Sequence, residues 1–275
     1  MKSLYTTACL VGVLGSCLLL PASQAQIDIY VVGKIKTFWQ DSDGQANLPP
    51  SWRLESHLDA GPNDITEVSL SAAGNTVTMD SYFEGGSWFE YSDYFADQAG
   101  LDAAWPNGSF QFNYSGGTLG AGSLDMDLTG DSYPMIPNVG LTGSSWSSLQ
   151  GMEVTQDLTL TWNQASWTGA GPQMIFMNFY DRNSSQEFEF ELNYSDTSLL
   201  IPANTLAPSS TYEGELLFAQ IVQSYDEGAG LTLYATMVEF EFATIPEPRT
   251  YAAIVGLIVL AGMVVVRRPW HTARQ

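Results

Sequence analysis

From residue 26 onward, apolar and polar residues alternate with a period of two in one stretch after another. Gln186 to Leu192 sets Glu187, Glu189 and Glu191 against Phe188, Phe190 and Leu192, the pattern of a strand with one wet and one buried face. Glu239-Phe240-Glu241-Phe242 repeats it. In the second half of the chain the pattern predicts strands over 152–156, 158–163, 173–180, 186–193, 197–201, 212–223 and 230–243. In the first half it predicts them over Ile27–Ile35, Trp52–Leu58, Ile65–Ala72, Thr76–Asp80, Tyr82–Tyr91, Phe110–Tyr114 and Ser123–Leu128. Clusters rich in Asn, Gly, Ser and Pro divide them, among them Asn183-Ser184-Ser185 and Pro202-Ala203-Asn204. No extended 3.6-residue pattern competes, and the one helix expected is Ser92 to Ala104, with Ser92 as its cap. The fold class is therefore all-β, one or two antiparallel β-sandwich domains, with Gly143 to Ser148 as the expected linker between 26–150 and 151–244.

The two ends break the alternation. Met1 to Ala25 carries one cation, Lys2, then an apolar run from Ala8 to Leu20, then Pro21 and the small residues Ser23 and Ala25. That order predicts a signal peptide over 1–25, removed by signal peptidase. Cys9 and Cys17 both lie inside it, so the mature chain is expected to have neither disulfides nor a thiolate site. At the other end Pro246-Glu247-Pro248 cannot continue a strand, since proline lacks the donor N–H. An apolar run from Tyr251 to Val266 follows, predicting a transmembrane helix, and then Arg267 and Arg268, with Arg274 close behind. Cations past the apolar span would hold that end in the cytoplasm and leave the main domain outside.

Residues 245–275 resemble the PEP-CTERM sorting domain in their Pro-Glu-Pro motif, apolar span and terminal arginines. Members of that family commonly carry Ser-Thr after the motif, whereas this chain has Arg249-Thr250-Tyr251, which preserves the Thr and the aromatic. The resemblance implies recognition by a membrane-embedded exosortase, cleavage near the motif and delivery to the cell surface or an exopolysaccharide matrix. Residues 152–244 resemble a fibronectin type III or similar immunoglobulin-like β-sandwich. Trp162 stands where such domains bury a tryptophan between sheets. Leu206 and Pro208 precede Tyr212 by six and four residues, the spacing of a tyrosine corner.

Charge narrows the choice of partner. Of the 30 acidic residues all but Glu247 fall in 26–244, leaving 29 against Lys34, Lys36, Arg53 and Arg182, a net of −25. Such a body repels phosphates, which excludes nucleic acid. Hydrolase chemistry has little to work with. His57 is the one histidine in 26–244 and has no nucleophile motif beside it. Glu187, Glu189 and Glu191 lie on one face of one strand, about 7 Å apart, without an opposed partner. Calcium is the one cofactor the residues suggest. Asp41 with Asp43, and Asp125 with Asp127, form loop-like carboxylate pairs, but neither completes a calcium loop, so no cofactor is expected.

These readings converge on an exported, non-catalytic surface or matrix protein whose partners are signal peptidase, an exosortase, the membrane and exopolysaccharide. The alternative is a surface-presented carbohydrate-binding module, with Trp88 and Trp105 as the aromatics that stack on sugar; an extracellular hydrolase stands third.

Overall fold

The period-two segments pair as strands wherever neighbouring segments can exchange backbone hydrogen bonds. The computed structural model describes residues 26–245, apart from 45, 48, 83–87 and 226–228. The expected signal peptide, Pro246-Glu247-Pro248, Thr250, the apolar span and the terminal arginines lie outside the described residues. Along the chain the strands are β1 (Ile27–Gln40), β2 (Ser51–Ala60), β3 (Glu67–Ala72), β4 (Asn75–Thr78), β5 (Asp80–Ser81) and β6 (Trp88–Phe95). After helix α1 (Gln98–Ala104) come β7 (Gly108–Ser115) and β8 (Gly122–Leu128). After helix α2 (Ser145–Leu149) come β9 (Leu158–Thr161), β10 (Gln173–Asp181), β11 (Glu187–Leu192), β12 (Ser198–Ile201), β13 (Thr211–Tyr225) and β14 (Gly230–Ala243).

Eight strands form one sheet in the order β11-β10-β13-β14-β1-β2-β6-β5. The expectation of purely antiparallel sheets is corrected at its centre, where β1 and β14 run parallel from Tyr30↔Gly230 to Gln40↔Phe240. No hairpin joins two strands so distant in sequence, so nothing forces them antiparallel. This pairing also carries the sheet across residue 150, uniting strands from both halves of the chain. At its far end a methyl group on Gly214 would overlap the ring of Phe240 directly opposite, so that glycine is needed for close approach.

One face of the sheet, here called inner, is covered by two separate layers. Over the N-terminal strands lies the sheet β4-β3-β7-β8, enclosing Tyr30, Val32, Leu54, Leu58, Phe110 and Phe112. Over the C-terminal strands lie the β9–β12 pair and its loops, enclosing Met177, Phe179, Leu216, Phe218, Phe240 and Phe242. Trp162 is buried in that second core, its indole N–H donating to the Asp196 carbonyl at 2.9 Å. The tyrosine corner forms as its spacing predicts: the Ala207 N–H donates to the Tyr212 hydroxyl at 2.7 Å, with Leu206 buried beneath.

Three local expectations fail for identifiable reasons. Ser92 caps nothing: β6 runs on to Phe95 because 88–95 pairs with β2 throughout, and helix α1 begins after Asp97, whose carboxylate accepts the Gly100 N–H at 2.7 Å. Residues 152–156 alternate like a strand, and Met152 and Val154 are buried, but turn hydrogen bonds such as Gln156 N–H to Glu153 C=O replace a ladder. The expected linker 143–148 contains most of α2, with Leu149 anchored in the second core.

Candidate functional site

The back face of the large sheet takes the alternate residues of the same strands. At its centre Ile29, Val31, Ile35, Leu217, Ala219, Leu233 and Met237 form a third apolar cluster, and every member of that cluster comes from a strand of the sheet itself. Beside them β2 turns Arg53, Glu55 and His57 to this face, because the neighbours Trp52, Leu54 and Leu58 take the inner core.

These three polar side chains are buried, and the surrounding strands supply their partners. Arg53 Nε lies 2.9 Å from Glu55 Oε2, and Nη1 lies 3.5 Å from Glu239 Oε1 on β14. The Arg53–Glu55 contact is an ion pair by distance but misses hydrogen-bond alignment. Nη1 also donates to the Tyr94 hydroxyl at 3.4 Å, and the guanidinium sits 5.9 Å from the centroid of that ring. Burial works against the charge on Arg53, but Glu55, Tyr94, Glu239 and Glu215 around it keep the guanidinium protonated. Burial pushes Glu55 up to about 7, with Glu90 and Glu239 adding to the rise and Arg53 opposing it.

His57 sits edge-on against Trp88, centroids 4.0 Å apart, and burial pushes its pKa down to about 3. Neither ring nitrogen has a hydrogen-bond partner, so the serine–histidine–carboxylate relay that a triad needs is not assembled.

Further along the same face the sheet is acidic. Glu187, Glu189 and Glu191 of β11 point this way while Phe188, Phe190 and Leu192 pack on the inner core. Glu213 stands opposite Glu241, and Glu215 opposite Glu239. Arg182 bridges Glu213 and Glu241, and burial together with Glu187 and Glu191 lifts Glu189 to about 7. The buried Asn178 donates to Glu187 through its amide N–H. The three β11 carboxylates share one strand face as their alternation predicts.

The aromatic residues expected to meet sugar are placed elsewhere. Trp105 is 2% exposed, packed on Tyr91 and Phe110, with its indole N–H donating to Asp93 at 3.2 Å. Trp88 is half-buried over His57. Among the described residues the aromatics that stand in solvent on this face include Trp39, 44% exposed, and Tyr94, 54% exposed. Register places them there: Trp39 pairs with Glu239, Tyr94 with Arg53. Alternation could have assigned Arg53, Glu55 and His57 to one face. It could not have shown that Tyr94 and Glu239 close around Arg53, since those contacts cross three strands.

Three of the four carboxylates suggested for calcium accept hydrogen bonds from nearby groups. Asp41 accepts from the Asn47 amide, Asp43 from the Ser147 N–H at the start of α2, and Asp125 from the Gln111 amide. The Asp127 backbone N–H donates to the Tyr225 hydroxyl. Among the described residues no group of three or more His, Cys, Asp or Glu side chains is gathered to hold a metal. Among the same residues no helix is long and apolar enough to cross a membrane.

No family model and no curated protein matches the sequence. Among solved structures, the FN1–FN3 domains of chicken CNTN1 align with 80% of this chain and 66% of their own, less than two thirds, at 12% identity and a TM-score of 0.24. A score that low carries no argument for either fold or function.

Proposed function

We propose that this chain is an exported, non-catalytic protein of the cell surface or exopolysaccharide matrix, delivered by an exosortase through its C-terminal signal. The observation that carries the reading is in the sequence: Pro246-Glu247-Pro248, then sixteen apolar or small residues to Val266, then Arg267 and Arg268. An acidic body with few lysines and no cysteine outside 1–25 suits a protein that stays soluble outside the cell. The non-catalytic reading is supported by the back face, where Arg53 is buried and ion-paired with Glu55 and Glu239 and His57 has no hydrogen-bonded nucleophile. Replacing 246–248 by three alanines in the native host tests the sorting. The expected result is an unprocessed, membrane-held precursor on fractionation and immunoblotting; display indistinguishable from wild type would end the reading.

A second reading, presentation of a carbohydrate-binding module, is favoured by the solvent-exposed Trp39 and Tyr94 beside an ordered arginine–carboxylate cluster.

A further inference from the structure

We infer that the strip from Trp39 through Glu239 and Arg53 to Tyr94 is a binding platform for an uncharged polysaccharide. The inference rests on the carbohydrate-binding reading and gives it an address and a ligand class.

Large aromatic rings are normally buried, because they remove the most apolar surface from water. Trp39 and Tyr94 are left about half exposed on a face whose other apolar residues, Ile35 and Met237 among them, are buried. They stand on one face. Trp39 lies four residues along β1 from Ile35, Ile35 pairs with Arg53, and Arg53 pairs with Tyr94 two strands away. With strand spacing and rise taken from ordinary sheet geometry, their backbones are about 16 Å apart. Two flat, half-exposed rings at such a separation on one face suit an extended chain of sugar rings better than one small molecule. The apolar C–H faces of sugar rings can lie on both.

The polar groups beside the two rings are held in place. Arg53 grips Glu239 and the Tyr94 hydroxyl, so neither side chain has to be ordered when ligand arrives. The guanidinium itself is 1% exposed and ion-paired with Glu55 and Glu239, which leaves it unable to serve as an anion receptor. What the strip offers to solvent is carboxylate and phenol oxygen, acceptors for sugar hydroxyls. The same face carries Glu213, Glu215 and Glu241 close by, so a polymer of uronic acids or sulfated sugars meets like charge.

The test is retention of the full-length protein on cellulose, chitin and xylan, with alginate as the acidic comparison, for wild type and point variants. Wild type is expected to be retained on at least one of the neutral polymers and not on alginate. Trp39→Ala and Tyr94→Ala should each weaken that retention tenfold or more, Trp39→Ala with an unchanged melting temperature. Trp39→Phe and Tyr94→Phe should keep most of it, and Tyr194→Ala, an exposed tyrosine outside the strip, should keep all of it. Wild-type retention by both alanine variants would overturn the address while leaving the carbohydrate reading standing. Retention on alginate above the neutral polymers would overturn the ligand class. Failure of wild type on every neutral polymer would overturn both readings of carbohydrate binding. Surface delivery is read separately by fractionation and would survive any of these results.

Discussion

The two faces of the eight-stranded sheet are built from the same strands, one residue apart, and they are opposite in kind. On the inner face Leu216, Phe218, Val238 and Phe240 pack in an apolar core beneath a second layer. On the back face their immediate neighbours include Leu217 and Met237 but also Glu215 and Glu239, and the apolar patch borders directly on Arg53, Glu55 and His57. A period of two lets one segment do both. The inner residues secure the fold through burial, which frees the back-face residues to hold charges that burial alone would reject.

The largest expected effect comes from breaking the charge cluster. Arg53→Ala leaves Glu55 buried without its cation and should destabilise the protein by about 4 kcal/mol in urea unfolding. Replacing Arg53 by Met and Glu55 by Leu together should recover most of that loss, since an apolar pair of similar volume needs no partner. A double variant as unstable as the single one would show that Glu239 and Glu215, rather than Glu55, depend on the arginine.

Next comes a direct comparison of the faces. Leu216 and Leu217 are adjacent, both buried, and point opposite ways. Leu216→Ala and Leu217→Ala should each cost about 3 kcal/mol, the ordinary range for emptying a packed leucine site. A loss below ~1 kcal/mol at Leu217 alone would mark the back face as loosely covered.

The smallest effect is in pH dependence, at most ~1.4 kcal/mol per pH unit for each group. Burial lowers His57 to about 3, so between the usual value near 6.5 and pH 3 the unfolded chain binds the extra proton. Stability from this group is therefore lost as pH falls through that window. Glu55 acts in reverse: its pKa, raised from 4.5 to about 7, makes the folded state hold the proton. Its contribution is present at low pH and is lost as pH rises from about 4.5 to 7. The two slopes oppose each other between 4.5 and 6.5. In thermal melts across that range His57→Phe should become less stable as pH rises, relative to wild type, and Glu55→Gln more stable. An unchanged slope in His57→Phe would mean that the ring reaches water.

Much of this was legible locally. The alternation of Glu187 through Leu192 assigned both faces of β11, and the spacing from Leu206 to Tyr212 announced a corner that closes at 2.7 Å. Local patterns misled where the chain alternates like a strand but turns instead, as at Glu153 to Gln156 after the single Met152–Thr244 bridge, or where a capping serine lies inside a strand, as at Ser92. Trp88 and Trp105 looked like sugar contacts because tryptophan is conspicuous in a sequence whether it is buried or not. Their burial depended on His57, Tyr91 and Phe110, contacts that no local spacing specifies.

What the sequence determined by itself was the period of each segment, the acidic balance, the absence of cysteine from 26–244 and the composition of the tail that underlies the sorting proposal. Those properties belong to residues close together along the chain, so nothing distant is needed to read them. The tertiary structure alone decided that β1 and β14, some two hundred residues apart, lie parallel side by side, and that Trp39, Arg53, Tyr94 and Glu239 consequently share one surface. Alternation states that neighbouring side chains face opposite ways. Which way is covered, and by what, is set by strand pairing across the whole chain.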